Sequence, residues 1–197
     1  MAVVLNQLLF FAFFQCLFLL VIFTISSRKR QRVNLFLWIL IITLMVGLIG
    51  KVGQISLDWQ RQMKGLSELS ILFFGPTVYL FVRSTLSEKQ YARLDLWHYI
   101  PGLIYGSFVL FYYVLPPPEV ITERYLSGEL LSVVRVLVGS GLIVNSIYFV
   151  LAIIEYRKLS KALKDEASYV LNINFVRNFL LAIGACFLIW WSVYLIS

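Results

Sequence analysis

Arg135 carries the strongest chemical constraint in this sequence. It lies about ten residues inside the fifth of six long apolar runs, where an isolated charge in a bilayer costs roughly 3 kcal/mol or more. Such a residue has to meet protein or water. Helical spacing places Ser132, Arg135, Gly139, Leu142 and Ser146 on one stripe with Asn145 beside it, so one face is polar and small while its flanks suit lipid. The sixth run has a comparable stripe of Asn174, Asn178, Leu181, Ala185 and Ser192. Two uses are open for these faces. They are close-packing, hydrogen-bonding seams between helices, or they line a polar cavity in which Arg135, Asn145 and Glu68 bind an anionic ligand. Glu68 and Glu129 are the candidate counter-charges for Arg135.

Sets of residues for catalysis are missing. His98 is the single histidine, which excludes HExxH and multi-histidine metal sites. Ser140 between two glycines lacks the GxSxG context and a histidine on the matching side. There is no Walker motif, no GxGxxG and no pair of intramembrane carboxylates, so no enzyme activity, metal or cofactor is expected. Cys16 and Cys186 sit in apolar runs without CxxC spacing and read as small buried thiols. At the other end of the expected bundle, Tyr79, Arg83, Asp95 and His98 should form a polar cluster. It is either a coupling site or a snorkelling arginine beside a helix cap.

The elements that position these residues follow from composition. The chain is 60% hydrophobic and 14% charged, and its mean hydropathy is +0.86. Soluble domains run nearer half apolar and a quarter charged. The expected fold class is all-α: a polytopic transmembrane helical bundle forming a single domain over residues 1–197. Its six spans are Val3–Ser26, Val33–Ile55, Ser67–Leu86, Leu94–Leu115, Tyr125–Tyr156 and Tyr169–Ile196. Gly75-Pro76 should kink the third span, Pro101 falls in the first turns of the fourth, and Pro116–Pro118 should end it sharply. Gly102 and Gly106 make a GxxxG, which usually marks close helix packing. The first run lacks a basic leader and so is not a cleavable signal peptide.

Orientation follows from the basic residues. Arg28, Lys29, Arg30 and Arg32 lie in the first loop. Arg83, Lys89 and Arg93 flank the third, and Arg157, Lys158, Lys161 and Lys164 lie in the fifth. This excess places the odd loops inside and the N-terminus outside. Trp97 and Tyr99 then mark an inner interface, and Tyr112, Tyr113, Trp190, Trp191 and Tyr194 outer ones. The net charge of +7 is distributed over these loops, so anionic lipid headgroups are the expected partner rather than nucleic acid. The uncharged ending at Ser197 leads us to expect a longer natural protein with a seventh helix.

The stretch Phe74-Gly-Pro-Thr-Val-Tyr-Leu-Phe-Val-Arg-Ser84, followed by Leu96-Trp-His-Tyr-Ile-Pro101, resembles the membrane region of bacterial AraC-type transcription regulators that carry about seven transmembrane helices ahead of a helix-turn-helix domain. The family's paired segments map onto Gly75, Pro76, Tyr79, Phe81, Arg83 and Ser84, and onto His98, Tyr99, Ile100 and Pro101. A Gln-containing first span ending in basic residues, a basic fifth loop, and Leu171 to Arg177 opening the sixth span agree with it. The departure is the absence of the helix-turn-helix region and the seventh span.

The resemblance implies a membrane sensor or anchor domain in the bacterial cytoplasmic (inner) membrane. It would take an unknown small-molecule or envelope signal and reach DNA only through a C-terminal domain absent here. Homodimerisation stays open. Rival readings are a small six-helix transporter, the input domain of a membrane sensor kinase and an intramembrane enzyme. The transporter lacks support from any inverted repeat.

Overall fold

The computed structural model describes residues 2–25, 32–56, 65, 67–86, 93–162 and 170–196, and all its regular elements are helical. In chain order they are α1 (Ala2–Ile25), α2 (Arg32–Ser56), α3 (Ile71–Leu86), a 3-10 segment (Arg93–Tyr99), α4 (Ile100–Val109), a π turn (Leu110–Val114), α5 (Pro118–Leu126), α6 (Glu129–Ala162) and α7 (Val170–Ile196). The basic residues expected to set the orientation at 28–30, 89 and 164 lie outside the described residues.

Leu35–Val52, Glu129–Lys161 and Ile173–Ile196 are long and apolar enough to cross a membrane. Leu94–Val114 joined to Pro118–Leu126 through a 95° bend passes the same test as a broken fourth. Asn6–Ile22 and Ile71–Leu86 are apolar but shorter.

The core sits around α3, which packs most extensively on α6 and also touches α2, α4, α7 and the 3-10 segment. Val78, Leu80, Phe81 and Val82 of α3 are buried against Phe36 and Leu40 of α2, Ala152 of α6 and Val176, Leu180 and Phe187 of α7. A second cluster gathers Leu72, Tyr105, Val109, Tyr113, Ile121 and Leu130. Ile143, Ile147, Val150 and Ile154 of α6 stay exposed at helical spacing, as do Leu181, Leu188 and Ile189 of α7. An apolar surface of this extent requires an apolar covering.

Proline chemistry shapes the α4–α5 corner. Pro116 has no N–H to offer the Tyr112 carbonyl four residues back. The chain widens into a π turn, in which the Leu115 N–H donates to the Leu110 carbonyl at 2.9 Å. The Tyr112 carbonyl accepts instead from Arg124 Nη1 at 2.6 Å. Pro118 then starts α5 at a position where an N–H is not needed.

Several expectations change here. The expected fifth span Tyr125–Tyr156 is split: Gly128, at φ +78°, ends α5 in a left-handed turn and α6 begins at Glu129. Tyr99 and Tyr113 pack inside the protein, whereas Trp97 is exposed. The stripe Asn174, Asn178, Leu181, Ala185 and Ser192 faces outward on α7. The reason is aromatic packing: Val176, Leu180, Ile183 and Phe187 turn inward to meet Phe81, Phe74 and Phe149. Cys186 is exposed rather than buried.

Candidate functional site

Two adjoining polar arrangements link α3 to its neighbours. The first is built on Asn145, which is fully buried. The Gly75 N–H donates to its Oδ1 at 2.7 Å, and its Nδ2 donates to the Ile71 carbonyl at 2.9 Å. Ile71 and Gly75 stand at i and i+4 in the first turn of α3, so one side-chain amide from α6 bonds a carbonyl and an N–H on the same face of that turn. Only glycine allows this approach. A Cβ at Gly75 would lie 2.6 Å from Asn145 Oδ1 and 3.0 Å from both the Asn145 Cα and the Tyr148 Cβ. The next residue, Pro76, leaves the Leu72 carbonyl without its helical donor. Gly102 of α4 comes close there, where a Cβ would be 3.3 Å from that oxygen. Gly106 continues the contact along Leu69, so the GxxxG is a packing surface against the start of α3.

The second arrangement lies at the other end of α3. Arg83 Nη1 is 2.8 Å from Asp95 Oδ1, an ion pair whose carboxylate is almost buried. The Thr77 hydroxyl donates to the Phe73 carbonyl at 2.6 Å, so its 3.1 Å contact with the Tyr99 hydroxyl has tyrosine as donor. Tyr79, His98 and Tyr148 form a triangle of rings with centroids 5.3, 6.2 and 5.7 Å apart. The Tyr148 hydroxyl sits 3.2 Å from His98 Nδ1 and 3.4 Å from the His98 carbonyl. The four residues Tyr79, Arg83, Asp95 and His98 therefore come together. Tyr148, Thr77 and Tyr99 complete the cluster. Tyr148 had a signal in the sequence, since it lies three residues past Asn145 on the same helical face.

Arg135, Asn145 and Glu68 are arranged differently. Arg135 is exposed and only six residues into α6, about 9 Å from its start. Its carbonyl accepts from the Tyr194 hydroxyl at 3.4 Å, and that hydroxyl fills the space beside Gly139. Asn145 is some 15 Å further along the helix, with its amide spent on α3. Glu68 is half-buried and accepts from the Ser67 hydroxyl at 3.3 Å. The stripe on α6 thus divides: Gly139, Leu142 and Asn145 are buried, and Ser132 and Arg135 are exposed. Ser146, at the edge, accepts from Trp191 Nε1 of α7 at 3.0 Å. Tyr105 adds a feature of its own, a buried hydroxyl with no hydrogen-bond partner among the described residues.

No family model, curated protein or solved structure matches this chain.

Proposed function

We infer that this chain is the membrane-embedded input module of a bacterial transmembrane transcription regulator. It has six spans, an outer N-terminus, and a place in the cytoplasmic membrane. The observation that carries the reading is the joining of its two resemblance-bearing segments. Gly75–Ser84 and Leu96–Pro101 meet through the Arg83–Asp95 ion pair, the Thr77–Tyr99 hydrogen bond and the Tyr79–His98 ring contact. In the charge-derived orientation this joint faces the cytoplasm, where an output domain has to be driven.

Asn145 and Tyr148 give the joint an input. They lie one turn apart on α6, and they hold α3 at Gly75 and the 3-10 segment at His98. A signal that favours one position of α6 over another has unequal affinity for two arrangements of the joint, which is the requirement for a switch. Arg135 fits this frame as a boundary marker. The 20 residues from Arg135 to Glu155 span about 30 Å of helix, the thickness of the hydrocarbon core.

The test uses the gene. Its reading frame should continue into a DNA-binding domain, and deleting it should change a defined set of transcripts. Arg83→Gln and Asp95→Asn should each alter that response, and the exchange Arg83→Asp with Asp95→Arg should restore part of it. A frame that continues without a DNA-binding domain, or single variants that match the wild type, would sink the reading.

A further inference from the structure

Two cavities open sideways along the seam between α2 and α3. The larger, about 470 Å³, lies toward α4 and has no charged residue in its wall. The smaller, about 320 Å³, lies between α2, α3 and α7 and differs in having Lys51 at one end. Its walls come from Phe74, Ile183, Phe187 and Trp190, and its floor from Gly47 beside Ser70. A Cβ on Gly47 would sit 3.4 Å from Ser70 Oγ, so any larger side chain there would project into the cavity.

The shape has a direction. Thr43, Gly47 and Lys51 recur at i, i+4 and i+8 on α2, a line of about 12 Å parallel to the helix axis. The groove is therefore apolar along its length and cationic at one end. Lys51 is exposed next to the end of the apolar segment Leu35–Val52, the level at which headgroups lie when that helix crosses a bilayer. Among the described residues no carboxylate reaches ion-pair distance of Lys51, and none lines the groove.

We propose that this groove holds one acyl chain of an anionic phospholipid taken from the surrounding bilayer, with its phosphate on Lys51. The chain lies parallel to α2. The lateral opening leaves the second acyl chain in the bilayer, which a closed pocket for a free fatty acid does not require. An ammonium at the headgroup level favours an anionic over a zwitterionic lipid by about fivefold. The inference rests on the membrane placement proposed above and not on the regulatory role.

The full chain is placed in phosphatidylcholine nanodiscs with a trace of phosphatidylglycerol carrying a photoreactive diazirine in one acyl tail. Phosphatidylcholine with the same tail and the free diazirine fatty acid form the other arms. The expected result is labelling of peptides containing Gly47 and Ile183, about fivefold more from phosphatidylglycerol than from phosphatidylcholine. Lys51→Gln should bring the two lipids to parity, Lys51→Arg should keep the preference, and Gly47→Leu should remove groove labelling by both. Circular dichroism of each variant confirms that it folds. Equal labelling by the two lipids in the wild type, labelling confined to other surfaces, a preference unchanged in Lys51→Gln, or fatty acid labelling the groove more strongly than phosphatidylglycerol would overturn the proposal. Retention of the chain in alkali-washed membranes reads the membrane placement separately, so failure of the groove and failure of that placement are distinct results.

Discussion

At Asn145 a single buried side chain makes two hydrogen bonds that cross between helices. Truncating it removes both inter-helix bonds and leaves a void at a fully buried position. Asn145→Ala is therefore expected to cost about 1–3 kcal/mol, measured by unfolding in detergent micelles. Gly75→Ala should cost a similar 1–3 kcal/mol by overpacking the same contact. Because both act on one approach, the double variant should lose clearly less than the sum. Additive losses would show that the contact does not form. The Tyr148 hydroxyl is read in a different way. Tyr148→Phe should shift the His98 Nδ1 resonance in a nitrogen-15 NMR spectrum while leaving the helix content unchanged, and an unmoved resonance would remove Tyr148 from the cluster.

At the scale of elements, the turn from α4 to α6 shows how three prolines are accommodated. They remove donors for the carbonyls of Tyr112, Tyr113 and Val114, and Arg124 supplies one of the replacements while its guanidinium carbon lies 4.2 Å from the Tyr112 ring centroid. Its hold on α5 is charge-assisted, worth about 1.5 kcal/mol. Arg124→Ala should raise amide exchange over Pro118–Leu126 by about tenfold, with α6 unaffected. Arg124→Lys should recover little of this, since an ammonium lacks the planar fork that bonds the carbonyl and stacks on the ring together. Gly128, in the left-handed region, ends the same element, and Gly128→Ala should lower stability by about 1–2 kcal/mol.

For the whole molecule the decisive property is orientation. With odd loops inside, a membrane-impermeant thiol reagent applied to intact cells should label Glu123→Cys and spare Ser27→Cys, with Cys16 and Cys186 replaced by alanine. The reverse pattern would invert the bundle and move the Arg83–Asp95 joint to the outer face. That result would also remove the reason for connecting the joint to a cytoplasmic domain.

Much of this molecule was legible from residue order because it depends on local rules. Apolar run lengths determine where helices form. Three consecutive prolines force a corner because they lack donors, and the GxxxG spacing produces a close approach whichever helix lies opposite. The pairing of the Gly75–Ser84 and His98–Pro101 segments was also foreseeable, since only a short loop separates them. Tertiary structure decided the rest. Asn145 bonds to residues 70 and 74 positions earlier, and no local pattern names such a partner. On α7 the polar stripe points outward, because the shapes of Phe81, Phe149 and Phe187 select which apolar side chains interlock. When most of a chain is apolar, transfer from water no longer distinguishes one helix face from another, so packing shape settles the choice, and shape exists only once the helices are assembled.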